Sequence, residues 1–361
     1  MAKRVRVALI GLGNVGRSFL ELMADKAGVL RERHGLELIL TGAADSSGAV
    51  MEAGGIDPTA LRLHKERGGN ASNFLGGVPG MSARKLAAQA EADLVLEASI
   101  VNLQTGQPGL DCVRTAIRRG KSVVLANKGP LVHAFGELTE AAATAGVGLA
   151  YSATVCGALP VVNIGQRDLA ACDIRSVRGI FNATSNSILT AMARGQSYAD
   201  ALHQAQIEGV AEADPSLDVE GWDTANKLVI IANSILRQPA TLADVAPVTG
   251  ITGITAKQMR EGAARGLVVK LVATAERGSV GRPATAEDGI YRLSVGPEWL
   301  PADSFLAGVT GFEMGIIFDT DIMGLQMYKV DERGPVPAAG AMLRDVISLR
   351  GNKEAGKQVD K

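Results

Sequence analysis

The chain has 361 residues, 47% of them hydrophobic and 21% charged, with a formal net charge of −1; this is long for one hydrophobic core, and two domains are expected. The near-neutral balance and 4% aromatic content argue against a nucleic-acid surface, and with no apolar run of spanning length there is no sign of a membrane protein. Three scattered cysteines, Cys112, Cys156 and Cys172, exclude a disulfide frame or a thiolate zinc site and fit a cytoplasmic protein.

Lys3, Arg4 and Arg6 before the apolar residues 7–10 have the outline of a signal peptide. The apolar part is too short, and glycines follow it where a cleavage site would stand, so residues 5–10 read as a first strand. Gly11-Leu12-Gly13-Asn14-Val15-Gly16 comes next, then helical composition over 17–33 and a second strand over 36–44. Strand, G-x-G-x-x-G and helix make a dinucleotide-binding turn: the first glycine turns the chain, the second lets the backbone approach a pyrophosphate, and the third lets helix pack on strand. Asp45 ends the second strand, where an acid would bond a ribose 2′-hydroxyl and favour NAD. Arg62, Lys65 and Arg67 follow in a glycine-punctuated stretch that reads as a solvated loop and offers the contrary reading, a 2′-phosphate and NADP. The balance leans to NAD.

Helix 82–92, strand 94–98, helix 110–119, strand 121–126, helix 134–145 and strand 148–151 continue the alternation, which predicts a doubly wound parallel sheet with helices on both faces. Ser99 begins the loop after one strand, and Asn127 and Lys128 follow another; ligands of such sheets sit at these carboxyl ends. Beyond Tyr151 the pattern changes. A helix over 161–167, a strand over 177–181 leading into a turn over 182–186, then a helix to about 193, a helix over 198–206 (Ser197 as cap) and strands near 243–248, 268–275, 291–295, 315–319 and 326–330 suggest an α+β domain with a mixed or antiparallel sheet. The expected division is a dinucleotide-binding domain over 1–151, a substrate-binding and dimerisation domain over 152–330, a returning segment and helix over 331–350, and a frayed charged tail over 351–361.

Residues 206–231 concentrate six acids, Glu208, Glu212, Asp214, Asp218, Glu220 and Asp223, ahead of Lys227. Pro215 stops what precedes it, Ser216 or Asp218 can cap the next helix, and there Asp223 and Lys227 share a face with Glu220, with Leu228, Ile231 and Ile235 as the buried stripe. Alone, such a stretch reads as a solvated loop and a surface ion pair.

Its neighbours change that reading. GLGNVG from Gly11, VVLANKGPL around Lys128, GIFNATSNSIL from Gly179 and AEADPSLDVEGWDTANKL from Ala211, in this order, resemble homoserine dehydrogenases, and the segment from Gly308 echoes them too. The resemblance covers about residues 5–347. It implies interconversion of L-aspartate 4-semialdehyde and L-homoserine with NAD or NADP, in a homodimer formed through the second domain's sheet. It implies catalytic roles for Lys128 and Lys227 in proton transfer, with Asp223 and Glu212 binding the substrate's amino group and orienting the lysine. Asp218 and Thr184 would line the substrate pocket, and Gly11, Gly13, Asn14, Val15, Gly16, Asp45, Ser99 and Asn127 would face the cofactor. Six acids around one lysine suit an ammonium-bearing substrate better than a phosphate.

Three departures stand out, one of them Cys156-Gly157-Ala158 where the family has a three-glycine turn. Ser152 replaces the glutamate that in the family helps hold a monovalent cation, leaving the carbonyls of Val155 and Gly157 as candidate ligands. Asp331-Glu332-Arg333-Gly334-Pro335 stands where a glycine-rich return is usual. No appended regulatory domain is expected. The alternatives are a relative acting on another hydroxy amino acid and a cofactor-binding sensor without catalysis.

Overall fold

The computed structural model describes residues 2–208, 211–212, 214–278 and 290–358. Residues 209, 210 and 213 of the acidic stretch and 359–361 of the tail lie outside the described residues. The chain divides into two compact units, Met1–Gly157 with Pro335–Lys361, and Ala158–Gly334.

The first unit is built on a seven-stranded sheet. Its strands are β1 (Lys3–Ile10), β2 (Leu36–Asp45), β3 (Gly48–Ile56), β4 (Gly77–Pro79), β5 (Leu94–Glu97), β6 (Ser122–Leu125) and β7 (Leu149–Ala150), in the order β4-β3-β2-β1-β5-β6-β7. The run from β2 to β7 is parallel, and β3 and β4 extend it antiparallel. Central position explains the uniform apolar character of β1: Val7, Ala8, Leu9 and Ile10 are all buried because both faces are covered. The helix Asn14–Asp25 turns Phe19, Leu20 and Met23 inward. Its core also takes Ala339, Met342, Leu343 and Val346 from the helix Val336–Gln358, which packs against it.

Three expectations are corrected here. The helical run 17–33 is two helices, Asn14–Asp25 and Ala27–His34, broken at Lys26 and ended by Gly35 in the left-handed region (φ 60°). The supposed loop after Asp45 is a β-hairpin followed by the helix Pro58–Glu66, so Arg62 and Lys65 ride on a helix and Arg67 ends it. The start signal was in the sequence: Pro58 lies in the first turn, and Asp57 Oδ1 accepts the N–H groups of Thr59 and Ala60 at 2.9 and 3.2 Å. The last helix extends to Gln358, well into the stretch expected to fray.

The second unit holds a six-stranded mixed sheet. Its strands are β8 (Ile174–Ile180), β9 (Val245–Val248), β10 (Leu267–Arg277), β11 (Tyr291–Pro301), β12 (Glu313–Thr320) and β13 (Leu325–Asp331), ordered β13-β12-β8-β10-β11-β9. Only β9 pairs in parallel, with β11. The helix Ala256–Ala264 is an element the sequence reading passed over, although Thr255 and Gln258 form a capping box at its start. Lys270 on β10 is fully buried, with Nζ donating to Asn186 Oδ1 at 3.0 Å and to the Val309 carbonyl. The Asn186 amide donates in turn to the carbonyls of Val309, Gly311 and Glu313, so this polar knot anchors the segment 308–313.

Candidate functional site

In the first unit the glycine turn sits where β1 meets its helix. Gly11 has φ +96°, and a Cβ there would stand 2.2 Å from the Ala98 carbonyl oxygen; a Cβ on Gly16 would stand 1.9 Å from the Gly11 oxygen. Both positions therefore require glycine for packing within the protein. Gly13 differs, because a Cβ there meets nothing within 4 Å. Gly13 is the N-cap of Asn14–Asp25 and supplies no capping side chain, so the first N–H groups of that helix are open to an anion. The residues present fit a dinucleotide pyrophosphate.

Asp45 ends β2 as expected, but its oxygens are already engaged. Oδ1 accepts from Ser47 N and Oγ at 2.9 and 2.6 Å, and Oδ2 accepts from Lys65 Nζ and Ala71 N at 2.6 and 3.0 Å. Although burial raises its pKa, these four bonds win, led by that from Lys65, and hold it down at about 2. Ser99 and Asn127 meet at the ends of β5 and β6: Asn127 Nδ2 donates to Ser99 Oγ at 3.2 Å, and its Oδ1 accepts Gly129 N at 2.9 Å. Lys128, half-buried, occupies the N-cap position of the helix Gly129–Thr144.

In the second unit β8 runs into Asn182, which caps the helix Ala183–Ala193 by accepting the Ser185 N–H at 2.8 Å. The other end of the same amide donates to Asp218 Oδ1 at 2.6 Å and Asp223 Oδ2 at 2.9 Å, bridging two carboxylates. Lys227 Nζ lies 2.7 Å from Asp223 Oδ2 and donates to the Phe181 carbonyl at 2.5 Å. Both charged side chains are only 12% exposed, so this is no surface ion pair. Burial and then the charge of Asp223 raise the Asp218 carboxyl above its ordinary range, while Asn182, Lys227 and Thr184 oppose the rise. Thr184, in the first turn of the capped helix, thus belongs to the same cluster.

The start of the lysine helix is not as expected. Ser216–Val219 is a separate short helix, and Trp222–Ser234 begins at Gly221 in the left-handed region (φ +91°). Neither Ser216 nor Asp218 caps it; Ser216 instead donates to Asp214 Oδ1. Glu220 is exposed at the end of the short helix and does not share the Asp223–Lys227 face. Glu212 is also exposed, and its carboxyl has no hydrogen bond or ion pair among the described residues; the structure does not bring it to Lys227.

The comparisons bear directly on these two units. Residues 160–347 match the homoserine dehydrogenase family model and residues 11–152 its NAD-binding domain model. The homoserine dehydrogenase of Methanocaldococcus jannaschii is 35% identical over 95% of this chain and 98% of its own. The chain belongs to the homoserine dehydrogenase family. The NAD(+)-dependent homoserine dehydrogenase of Pseudomonas canavaninivorans is 32% identical over 95% of this chain and 96% of its own. Among solved structures, a homoserine dehydrogenase from Thiobacillus denitrificans gives a TM-score of 0.81 at 28% identity, covering 98% of this chain and 75% of that one. A hyperthermophilic archaeal homoserine dehydrogenase in complex with NADPH gives 0.80 at 25% identity, covering 96% and 98%.

Ser152 is buried, and its N–H and hydroxyl donate to Asp345 at 2.8 and 2.5 Å. Burial raises the Asp345 carboxyl, which is committed to this tie between Ser152 and the last helix. No group of three His, Cys, Asp or Glu able to hold a metal occurs among the described residues. Two residues of the cluster escaped the sequence reading. Asn182 was visible only as a turn residue, although Asn ahead of a helix is itself a preferred N-cap. Glu332 accepts the Ala158 N–H at 2.9 Å; burial raises its pKa, and the charge of Lys227 pulls it back. It was singled out only as a departure from the family pattern.

Proposed function

We propose that this protein interconverts L-homoserine and L-aspartate 4-semialdehyde. The observation that carries the reading is the buried Asp223–Lys227 pair held with Asp218 by the Asn182 amide. Acids fixed in this way suit an ammonium-bearing substrate, and a lysine amine among them can exchange a proton with its hydroxyl or carbonyl. In the oxidising direction the Lys227 amine takes the hydroxyl proton as the carbon–hydrogen bond breaks. The nicotinamide, when bound, accepts the hydride. Lys128 is the second lysine of this proton transfer by family resemblance, and Thr184 and Asp218 orient the substrate. Glu212 has only the resemblance behind it. Gly11 to Gly16, Ser99 and Asn127 serve the cofactor. NAD is the reading from Asp45 at the end of β2; the Lys65 ammonium bound to it makes NADP the second reading.

Initial rates with homoserine and each cofactor test the proposal, and no turnover with either sinks it. A lysine accepts a proton only when neutral, so oxidation should rise towards alkaline pH. Lys227→Arg keeps the charge but cannot act as a base, and kcat should fall by at least about a hundredfold. The tie of Ser152 to Asp345 in place of the family's glutamate favours one second reading, a different hydroxy amino acid as substrate; a panel of amino alcohols under the same conditions decides it.

A further inference from the structure

Glu97 is the last residue of β5, and none of its surface is exposed. Its Oε1 accepts the Ser99 N–H at 3.0 Å, whereas Oε2 has no hydrogen-bond partner among the described residues. Gly109 makes room for that oxygen: a Cβ there would stand 2.9 Å from Glu97 Oε2 and 2.7 Å from Asn127 Nδ2. An orphaned buried oxygen of this kind is destabilising, and an apolar residue would end the strand more stably. Asn127, also buried, donates to Ser99 Oγ and to the Ile100 carbonyl at 3.4 Å and accepts from Gly129 N. It therefore ties the loop after β5 to the backbone on both sides of Lys128.

We propose that Glu97 is a positioning residue: its carboxylate orients Ser99 and the Asn127 amide, and through Asn127 it sets the backbone that carries Lys128. The proposal rests on the reading of Lys128 as a lysine of the proton transfer. Ionised Glu97 holds its unbonded Oε2 near the Asn127 amide, so that the two attract as charge and dipole without a hydrogen bond between them. Protonated there, the same oxygen becomes a donor facing a donor, and the tie loosens. Burial pushes this carboxyl up to about 7, with Ser99 and Asn127 holding it down. The titratable group packed beside it is Cys112 of the helix Gly109–Arg118, whose thiol is pushed up to about 12 by burial first and then by the charges of Glu97 and Asp111, against Arg84, and stays neutral.

The test compares wild type, Glu97→Gln and Glu97→Asp by kcat and KM from pH 5.5 to 9, with NADH binding by fluorescence and thermal melts alongside. Wild type should show an activity limb near pH 7, apart from the lysine limb at higher pH. Glu97→Gln should lose that limb and about tenfold in kcat, with KM for homoserine changed less than twofold. Glu97→Asp keeps a charge near Asn127 and should recover part of both. A Glu97→Gln profile of wild-type shape, or equal losses in the two variants, makes Glu97 a packing residue and overturns the proposal. Should Glu97→Gln not fold, Gly109→Ala presses a methyl on both side chains without changing a titrating group, and an unaltered kcat there is equally fatal. Wild type inactive on homoserine would refute the proposed function. Glu97 is then judged by the pH dependence of NADH binding, which must differ between wild type and Glu97→Gln.

Discussion

Asp45 shows how one residue's position and its chemistry separate. Its place at the end of β2 is where a ribose-reading acid belongs, yet Lys65, Ser47 and Ala71 use both its oxygens. The carboxylate therefore works first as a clamp on the segment that follows it. Its folded pKa, about 2, lies below the ordinary 3.8, so its contribution is full above about pH 4 and is lost as pH falls through 2. Discounted for partial exposure, the clamp is worth about 1–2 kcal/mol at neutral pH. Asp45→Asn should lower the melting temperature at pH 7 and leave it nearly equal to that of wild type at pH 2. An equal deficit at both pH values would show that the ionised state is not what stabilises the loop. Lys227 makes the reverse case: a lysine four residues from an acid is the outline of a surface pair, yet both side chains are largely withdrawn from solvent.

At the scale of elements, the glycine turn contains two kinds of glycine. Gly16 is fixed by the protein's own packing, with a would-be Cβ 1.9 Å from the Gly11 oxygen, whereas Gly13 faces open space. Gly16→Ala should therefore destabilise the first unit, by about 2 kcal/mol or more, through displacement of helix from strand. Gly13→Ala should melt within a degree or two of wild type yet weaken NADH binding about tenfold or more, because only a ligand's approach needs that space. Calorimetry and fluorescence titration separate the two. A Gly13→Ala protein that binds NADH normally would mean that the cofactor does not approach this turn. The same scale explains the lost loop between β2 and β4. Gly54 and Gly55 read as breakers, but they lie at the end of β3, and Asp57-Pro58 starts a helix immediately after.

For the molecule as a whole, the second unit's sheet leaves an edge of mixed character. β13 is its outer strand, and Leu325 and Met327 on it, with Ile322 and Met323 in the preceding turn, are largely exposed. Unpaired edge groups beside apolar side chains favour strand or face pairing with another chain. A homodimer through this sheet is the arrangement we propose. Light scattering on the purified protein should give twice the chain mass, and Met327→Lys with Leu325→Lys should shift it towards monomer. A dimer indifferent to both changes would place the interface elsewhere. Among the described residues no helix is long and apolar enough to cross a membrane.

The order of elements was legible because each rests on local chemistry. Strand, glycines and helix at the N-terminus, alternating units up to Tyr151, and a strand-rich second half follow from patterning that adjacent residues carry. The acidic segment and the lysines could be named only through resemblance to the family, since their spacing alone reads as a solvated loop and a surface ion pair. The structure decided what those residues touch. Asn182 joins Asp218 and Asp223 across 36 and 41 positions, Lys65 reaches Asp45 across 20, and Ser152 meets Asp345 across 193. Such pairings are set by how strands order in a sheet and helices pack on it, and local propensity does not encode them. Burial is equally non-local. It withdraws Asp223–Lys227 from solvent, raises Glu97 to about 7 and leaves Glu212 and Glu220 exposed, although all five are charged residues of ordinary appearance in the sequence.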